Sequence, residues 1–341
     1  MERVTFLCEL PPPFGGVTIK NQLILDTVVR PSDIVRVVDF CEIKRNPIKA
    51  FSVFARMVSA FAQKDSIVYG FGSHSRLKQA LTLQKSIGGK GSLDKTVNVI
   101  MGGRFQEYVK ADPQLNSLLS FIKLNLVETK GMQEAFKTFG LHNTEVFPNA
   151  RLADKSRTPI THDGELRCVF FSKICEDKGV DYILSEFEDV AGITVDFYGH
   201  IDSGIKDRFD SFISTHSNAT YKGVFDAAKN DVYAELSKYD VLLLPTKWKG
   251  EGVPGILVES KMAGITAIVS NMNYNAEIVL DSVEGIVLED LEKGSLRKAV
   301  ELLAVDRDRL MTLKEGAYQS RSRYAMESYI GELRTDFGLE V

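Results

Sequence analysis

Short apolar runs of strand length alternate with helix-length segments along the whole chain, and this alternation constrains the fold more than any other feature. In the first part the strand candidates are Val4–Cys8, Ile34–Phe40, Ser66–Tyr69, Val97–Met101, Leu124–Glu128 and Thr144–Phe147. Between them lie helical stretches at Val17–Val29, Ile48–Gln63, Arg76–Ser86 and Met132–Phe139. The second of these has Phe51, Phe54, Val58 and Phe61 three or four apart, the spacing of one helix face. A polar segment without periodicity, Asn149–Gly164, holds Pro159 and reads as a linker. The alternation then resumes with strands at Cys168–Ser172, Val195–Tyr198, Ala219–Tyr221, Val241–Leu244, Thr266–Ser270 and Gly285–Leu288. Helices are expected at Val180–Phe187, Asp231–Lys238, Pro254–Ala263, Ser295–Leu313 and about Ser320–Leu333. Strands that alternate with helices form parallel sheets covered on both faces. The expected fold class is therefore α/β, with two Rossmann-like, doubly wound domains facing a cleft. In such sheets ligands bind where strands end at their carboxyl side and loops lead into helices.

The length of 341 residues suits two cores of this kind. The charge is divided between them. Residues 1–150 carry 19 Lys and Arg against 13 Asp and Glu, and the remainder carries 23 against 33. A basic first half favours a phosphorylated acceptor, or contact with an anionic membrane surface. No apolar run is long enough to span a bilayer. Met1–Leu10 contains Glu2 and Glu9 and no basic leader, so a secretory signal is not expected. The four cysteines form no C-x-x-C pair and no Cys/His cluster, which fits reduced thiols in the cytoplasm. The five histidines have no metal-ligand spacing. Asp306-Arg307-Asp308 sits in a charged helical stretch rather than at a strand end, and reads as surface. No metal site, no resident cofactor and no nucleic-acid partner are expected.

Four segments at predicted strand ends carry chemistry. The strongest is Glu251-Gly252-Val253-Pro254-Gly255-Ile256-Leu257-Val258-Glu259, after the strand Val241–Leu244 and the turn Pro245-Thr246. Pro254 suits a first helical turn, where its missing N–H would be unpaired anyway. Leading amides of a helix attract anions. Such a segment can offer amides to a diphosphate while two carboxylates accept hydrogen bonds from hydroxyls. The second is Ser172-Lys173-Ile174-Cys175-Glu176-Asp177-Lys178-Gly179, where Lys173 and Lys178 could neutralise a diphosphate leaving group. The third is the Gly15-Gly16 pair behind Pro11-Pro12-Pro13-Phe14, which allows close backbone approach. The fourth is Met101-Gly102-Gly103-Arg104. Gly199-His200 and Val224-Phe225 also fall after strands, where an apolar side chain could lie beside a base.

Pro245-Thr246, Glu251-Gly252, Pro254, Glu259, Gly264, then Asn275-Ala276-Glu277-Ile278-Val279 and Gly285, resemble the donor-site signature of glycosyltransferase family 4, the retaining group 1 enzymes of the GT-B fold. Lys178 matches that family's "G-R-L-x-x-x-K-G" stretch, and Lys173 stands where Arg is usual. Met101 stands where the family has a His that contacts the donor sugar. The resemblance implies a 1–153 acceptor-side domain with the C-terminal helix 319–341 packed back on it, and a 154–318 donor-binding domain. It implies transfer from a nucleotide-diphosphate sugar to a glycan, lipid-linked or other hydroxyl acceptor, with retained configuration and without a metal. Glu251, Lys178 and Lys173 are its expected catalytic residues. Glu259, Gly252, Val253, Pro254, Gly255, Ile256, Gly15, Gly16, Gly199, Val224 and Phe225 are expected to bind donor, and Met101, Gly102 and Arg104 to lie on the acceptor side. A cytoplasmic protein, peripheral at the inner membrane face, fits this reading. Two alternatives stay open: a sugar-nucleotide 2-epimerase of the same architecture, and a non-catalytic sugar-nucleotide-binding protein.

Overall fold

A computed structural model describes residues 3–154, 156–188 and 190–340. The chain forms two compact units: 1–151 with 325–341, and 152–324. Each is built on a six-stranded sheet. In the first unit the strands are β1 (Val4–Cys8), β2 (Val35–Asp39), β3 (Ser66–Gly70), β4 (Thr96–Val99), β5 (Leu124–Val127) and β6 (Thr144–Val146), in the order β2-β1-β3-β4-β5-β6. In the second they are β7 (Leu166–Phe171), β8 (Ile193–Tyr198), β9 (Ala219–Gly223), β10 (Val241–Leu244), β11 (Thr266–Ser270) and β12 (Gly285–Leu288), in the order β12-β11-β10-β7-β8-β9. Every pairing between these strands is parallel. The central strands β1, β3, β10 and β11 are buried along their whole length, as parallel strands covered on both faces must be. Strand order reverses between β1 and β3 in the first sheet and between β7 and β10 in the second, and loops part company at those points.

Two expected helices are broken. Ser295–Leu313 is two helices, Ser295–Val305 and Arg307–Ser320. Asp306 leaves helical geometry between them and caps the second by accepting from the Arg309 amide. The first Asp of the Asp-x-Asp triplet is thus a helix cap. Ser320–Leu333 is also interrupted. Ala325 is extended (φ −72°, ψ 116°) and bridges to Arg151, so the chain rejoins the first unit there before the short helix Ile330–Phe337. That helix is anchored by Arg334, which is 1% exposed and clamps both oxygens of Asp33 at 2.8 and 3.0 Å. Phe337 meets Phe6 edge-on at 5.6 Å.

The helix expected over Ile48–Gln63 starts at Ala50, after the tight turn Pro47–Lys49. Its inner face is Val53, Met57, Ala60 and Phe61, while Phe51, Phe54 and Val58 lie on the outside. The sequence carries two apolar stripes on this helix, and periodicity alone does not say which one meets the sheet. The segment expected as a linker packs on the second unit: Lys314 Nζ donates to the Ile160 carbonyl at 2.7 Å, and His162 Nδ1 lies 3.0 Å from the Asp240 carboxylate.

Candidate active site

The second sheet's reversal point lies between β7 and β10, and the loops leaving these strands meet there. The chain after β7 makes the tight turn Glu176–Lys178 and ends it at Gly179, in the left-handed region at φ +76°. A Cβ at Gly179 would lie 2.0 Å from the Pro245 carbonyl oxygen, so only glycine lets the two loops close. Two hydrogen bonds then join them. The Lys247 amide donates to the Asp177 carbonyl at 2.8 Å, and Thr246 Oγ1 donates to the same oxygen at 3.2 Å. This stitching carries Lys178 to the loop after β10, where its Nζ donates to the Glu251 carboxylate. Both side chains are mostly buried, at 18% and 16% exposure.

The loop bearing Glu251 is braced from within. Ser270 Oγ donates to the Thr246 carbonyl at 2.6 Å, and Thr246 Oγ1 accepts from the Trp248 amide at 3.2 Å. Asn273, itself left-handed at φ 52°, donates through Nδ2 to the Trp248 and Glu251 carbonyls at 2.9 and 3.1 Å. Trp248, the chain's single tryptophan, is 45% exposed beside Gly250.

Beyond Gly252 the backbone passes Pro254, extended at φ −60° and ψ 120°, and enters the helix Gly255–Met262. No side chain caps this helix start, so its leading amides remain available to an anion. The side chain of Val253 and the ring of Pro254 are buried, so they shape the loop from within. Gly255 and Ile256 are partly exposed at the helix start. Glu259 lies one turn beyond Gly255 on the same helix and is partly exposed. It has a partner within the structure.

The other expected residues of this unit divide. Lys173 reaches Asp202 instead, at 2.5 Å, and that exposed pair holds its ammonium. The Asp202 bond keeps the Lys173 ammonium above its ordinary pKa and the Asp202 carboxyl below its own. Gly199, at φ +141°, lets β8 end against β7: a Cβ there would lie 1.8 Å from the Ser172 carbonyl oxygen. Phe225 packs edge-on against Phe171 at 5.2 Å, and Val224 is 66% exposed.

In the first unit, Gly15 and Gly16 open the helix Gly16–Val28 after β1. A Cβ at either would meet nothing within 4 Å, so packing within the chain does not demand glycine there. Met101 lies in the apolar core with Phe6, Val99 and Leu126 and presents almost no surface. Gly102 is left-handed at φ +107°. Arg104 pairs with Glu107 at 2.8 Å on the surface and lies over the Tyr108 ring.

Sequence reasoning missed Asn273, Trp248 and Asp202. The only signal for Asn273 was the turn-forming run Asn271-Met272-Asn273-Tyr274-Asn275, which says turn but not partner.

This arrangement is a doubly wound unit whose reversal point holds a Lys–Glu pair beside a helix start that no side chain caps. Residues 154–320 match the family model described as glycosyl transferases group 1. That match falls wholly within the second unit. Over 112 residues the chain is 28% identical to the Vi polysaccharide biosynthesis protein VipC/TviE of Salmonella typhi. That stretch is 32% of this chain and 19% of the relative, so the chain spans well under two thirds of that protein. Among solved structures, Anabaena Alr3699/HepE in complex with UDP matches with a TM-score of 0.76 at 15% identity, covering 99% of this chain and 100% of that one. The lipopolysaccharide outer core galactosyltransferase WaaB, in its apo form, matches with a TM-score of 0.68 at 14% identity, covering 98% of each chain. At such identities the likeness defines the fold, which is the α/β two-domain GT-B fold.

Proposed function

We propose that the protein is a retaining glycosyltransferase that transfers a sugar from a UDP-sugar to a hydroxyl acceptor in polysaccharide assembly. The observation that carries this reading is the Lys178–Glu251 pair, held by the Gly179–Pro245 contact beside an uncapped helix start. UDP is the diphosphate favoured, because Anabaena HepE was crystallised with UDP and with UDP-glucose. The Salmonella relative favours polysaccharide as the product class.

In this reading the donor's diphosphate sits at the amides of Gly255 and Ile256, with Lys178 against its oxygens. Glu259 accepts from the ribose hydroxyls and Glu251 from the sugar. Lys178 exchanges part of its bond to Glu251 for the diphosphate, whose charge rises as the bond to the sugar breaks. Stabilising that rise is what accelerates the step. The anomeric carbon loses its bond to the phosphate oxygen and gains one to the acceptor oxygen on the same face. The acceptor's proton passes to the departing phosphate. No enzyme nucleophile is used, and Lys178 with the helix amides supplies the positive charge. Lys173 joins only after leaving Asp202. The first unit takes the acceptor. Lys178→Ala should lower turnover by about ten- to a thousand-fold, as loss of one oxyanion donor does. Unchanged turnover would remove Lys178 from the mechanism.

One observation favours a second reading. Met101 is buried in the core and offers no polar contact at the position where the family has its His. A protein that binds donor without using it would show UDP-sugar binding with neither transfer nor slow donor hydrolysis.

A further inference from the structure

The loop that presents Glu251 also presents Trp248, which is 45% exposed. A lone exposed apolar residue needs no explanation, but this ring is seated. The Glu251 amide donates back to the Trp248 carbonyl at 3.2 Å and closes a four-residue turn around Lys249 and Gly250. Asn273 donates to the carbonyls at both ends of that turn, at 2.9 and 3.1 Å, so Trp248 and Glu251 are carried as one piece. The indole folds back onto Gly250. A Cβ at Gly250 would lie 2.6 Å from Nε1, 2.7 Å from Cε2 and 2.9 Å from Cζ2, closer than the 3.0 Å that real Cβ atoms keep. Gly250 has no left-handed backbone, so it is the ring and not the chain direction that asks for glycine there. Among the described residues the indole N–H meets no acceptor, and no other ring or cation lies against the indole.

We infer that Trp248 is the platform for the sugar ring being transferred and sets which sugars are accepted. A pyranose has a face of C–H bonds and a rim of hydroxyls. A broad aromatic ring takes the face, and a carboxylate takes the rim. The turn from Trp248 to Glu251 fixes these two groups relative to each other, with the Lys178 ammonium on the same carboxylate. The indole is tied to Glu251, the residue read as holding the sugar, and not to Glu259, the residue read as holding the ribose. Stacking of the nucleotide base on Trp248 therefore fits worse. The inference rests on the donor reading and names the group that chooses the sugar within it.

Trp248 is the chain's single tryptophan, so tryptophan emission reports on this ring alone. The full chain is titrated with UDP, UDP-glucose, UDP-galactose and UDP-N-acetylglucosamine while emission and its quenching by acrylamide are followed. At least one UDP-sugar should shift the emission and shield the indole well beyond what UDP does. Trp248→Ala should weaken that UDP-sugar about three- to tenfold in calorimetry, leave UDP unchanged, and flatten the preference among the three sugars. Trp248→Phe should recover most of the loss. Gly250→Ala displaces the indole without removing it and should give the same split between UDP-sugar and UDP. Trp248 is exposed, so the melting temperatures of its variants should stay near the wild-type value. UDP that binds while no UDP-sugar shields the indole further overturns the inference and leaves the donor reading standing. Equal loss of UDP and UDP-sugar in Trp248→Ala overturns it too, since the ring would then only support the loop. Shielding by free glucose added with UDP, but by none of the UDP-sugars, overturns it in favour of an acceptor ring. Absence of UDP binding by the wild type removes the donor reading and the inference with it.

Discussion

The contact between Gly179 and Pro245 makes a sharp demand on the sequence. At φ +76° an alanine carries left-handed strain of about 1–2 kcal/mol. Its Cβ, at 2.0 Å from the Pro245 oxygen, must also retreat by at least 1.0 Å to reach the 3.0 Å that real Cβ atoms keep. That retreat pulls the Glu176–Lys178 turn from the loop after β10 and strains the bonds from Lys247 and Thr246 to the Asp177 carbonyl, each contributing about 1 kcal/mol. The total comes to about 3–4 kcal/mol, or roughly 6–16 °C in the melting temperature of a unit of this size. A displacement of about 1 Å at Lys178 also costs turnover about a hundred-fold. Gly192→Ala is the control: Gly192 has φ +73° in the same unit, but nothing lies within 4 Å of its Cβ. It should lose only the strain of about 1–2 kcal/mol and keep full turnover. Thermal melts and transfer assays on both variants decide the matter. If Gly179→Ala melts and turns over like Gly192→Ala, the claim that this contact positions Lys178 is wrong.

Further outcomes follow from the geometry. Asn273→Gly keeps the left-handed backbone but removes both bonds that hold the loop of Glu251, so donor affinity should fall about tenfold in a titration while the melting temperature moves little. Arg334→Ala takes the guanidinium from the Asp33 carboxylate, whose side chain is 6% exposed and keeps the Arg30 amide, and should destabilise the first unit by about 3 kcal/mol in chemical denaturation. The bond from Arg334 holds the Asp33 carboxyl below its ordinary pKa of 3.8. Its stabilising contribution is complete above that value and is lost as pH falls through the lower folded value. Urea melts between about pH 5 and pH 2 should therefore steepen in the wild type relative to Arg334→Ala.

The two sheets were legible because parallel strands covered on both faces must be apolar throughout, and Val4–Cys8 or Val241–Leu244 show this directly. The Glu251–Glu259 segment was legible because it follows such a strand and places Pro254 at a helix start. Breaks set by one residue's backbone were not. Asp306 is a good helix cap, yet nothing local says that the charged stretch divides there. Which face of Ala50–Gln63 is inside depends on the sheet it meets, and the sequence offers two stripes. The partner of Lys173 is Asp202, 29 residues away across the β7–β8 crossover, beyond any local pattern. Lys178 was singled out by its motif, but its hold on Glu251 rests on Gly179 closing against a loop that lies far along the chain.

The central claim is that a diphosphate is held at the Lys178–Glu251 pair and the helix start of Gly255. Calorimetric titration of UDP into the full chain, beside Lys178→Ala and Glu259→Ala, tests it most directly. The account predicts one site per chain in the wild type, with affinity reduced about tenfold or more in each variant, as loss of a charge-assisted bond requires. Absence of UDP binding by the wild type, or equal binding by all three proteins, would contradict it.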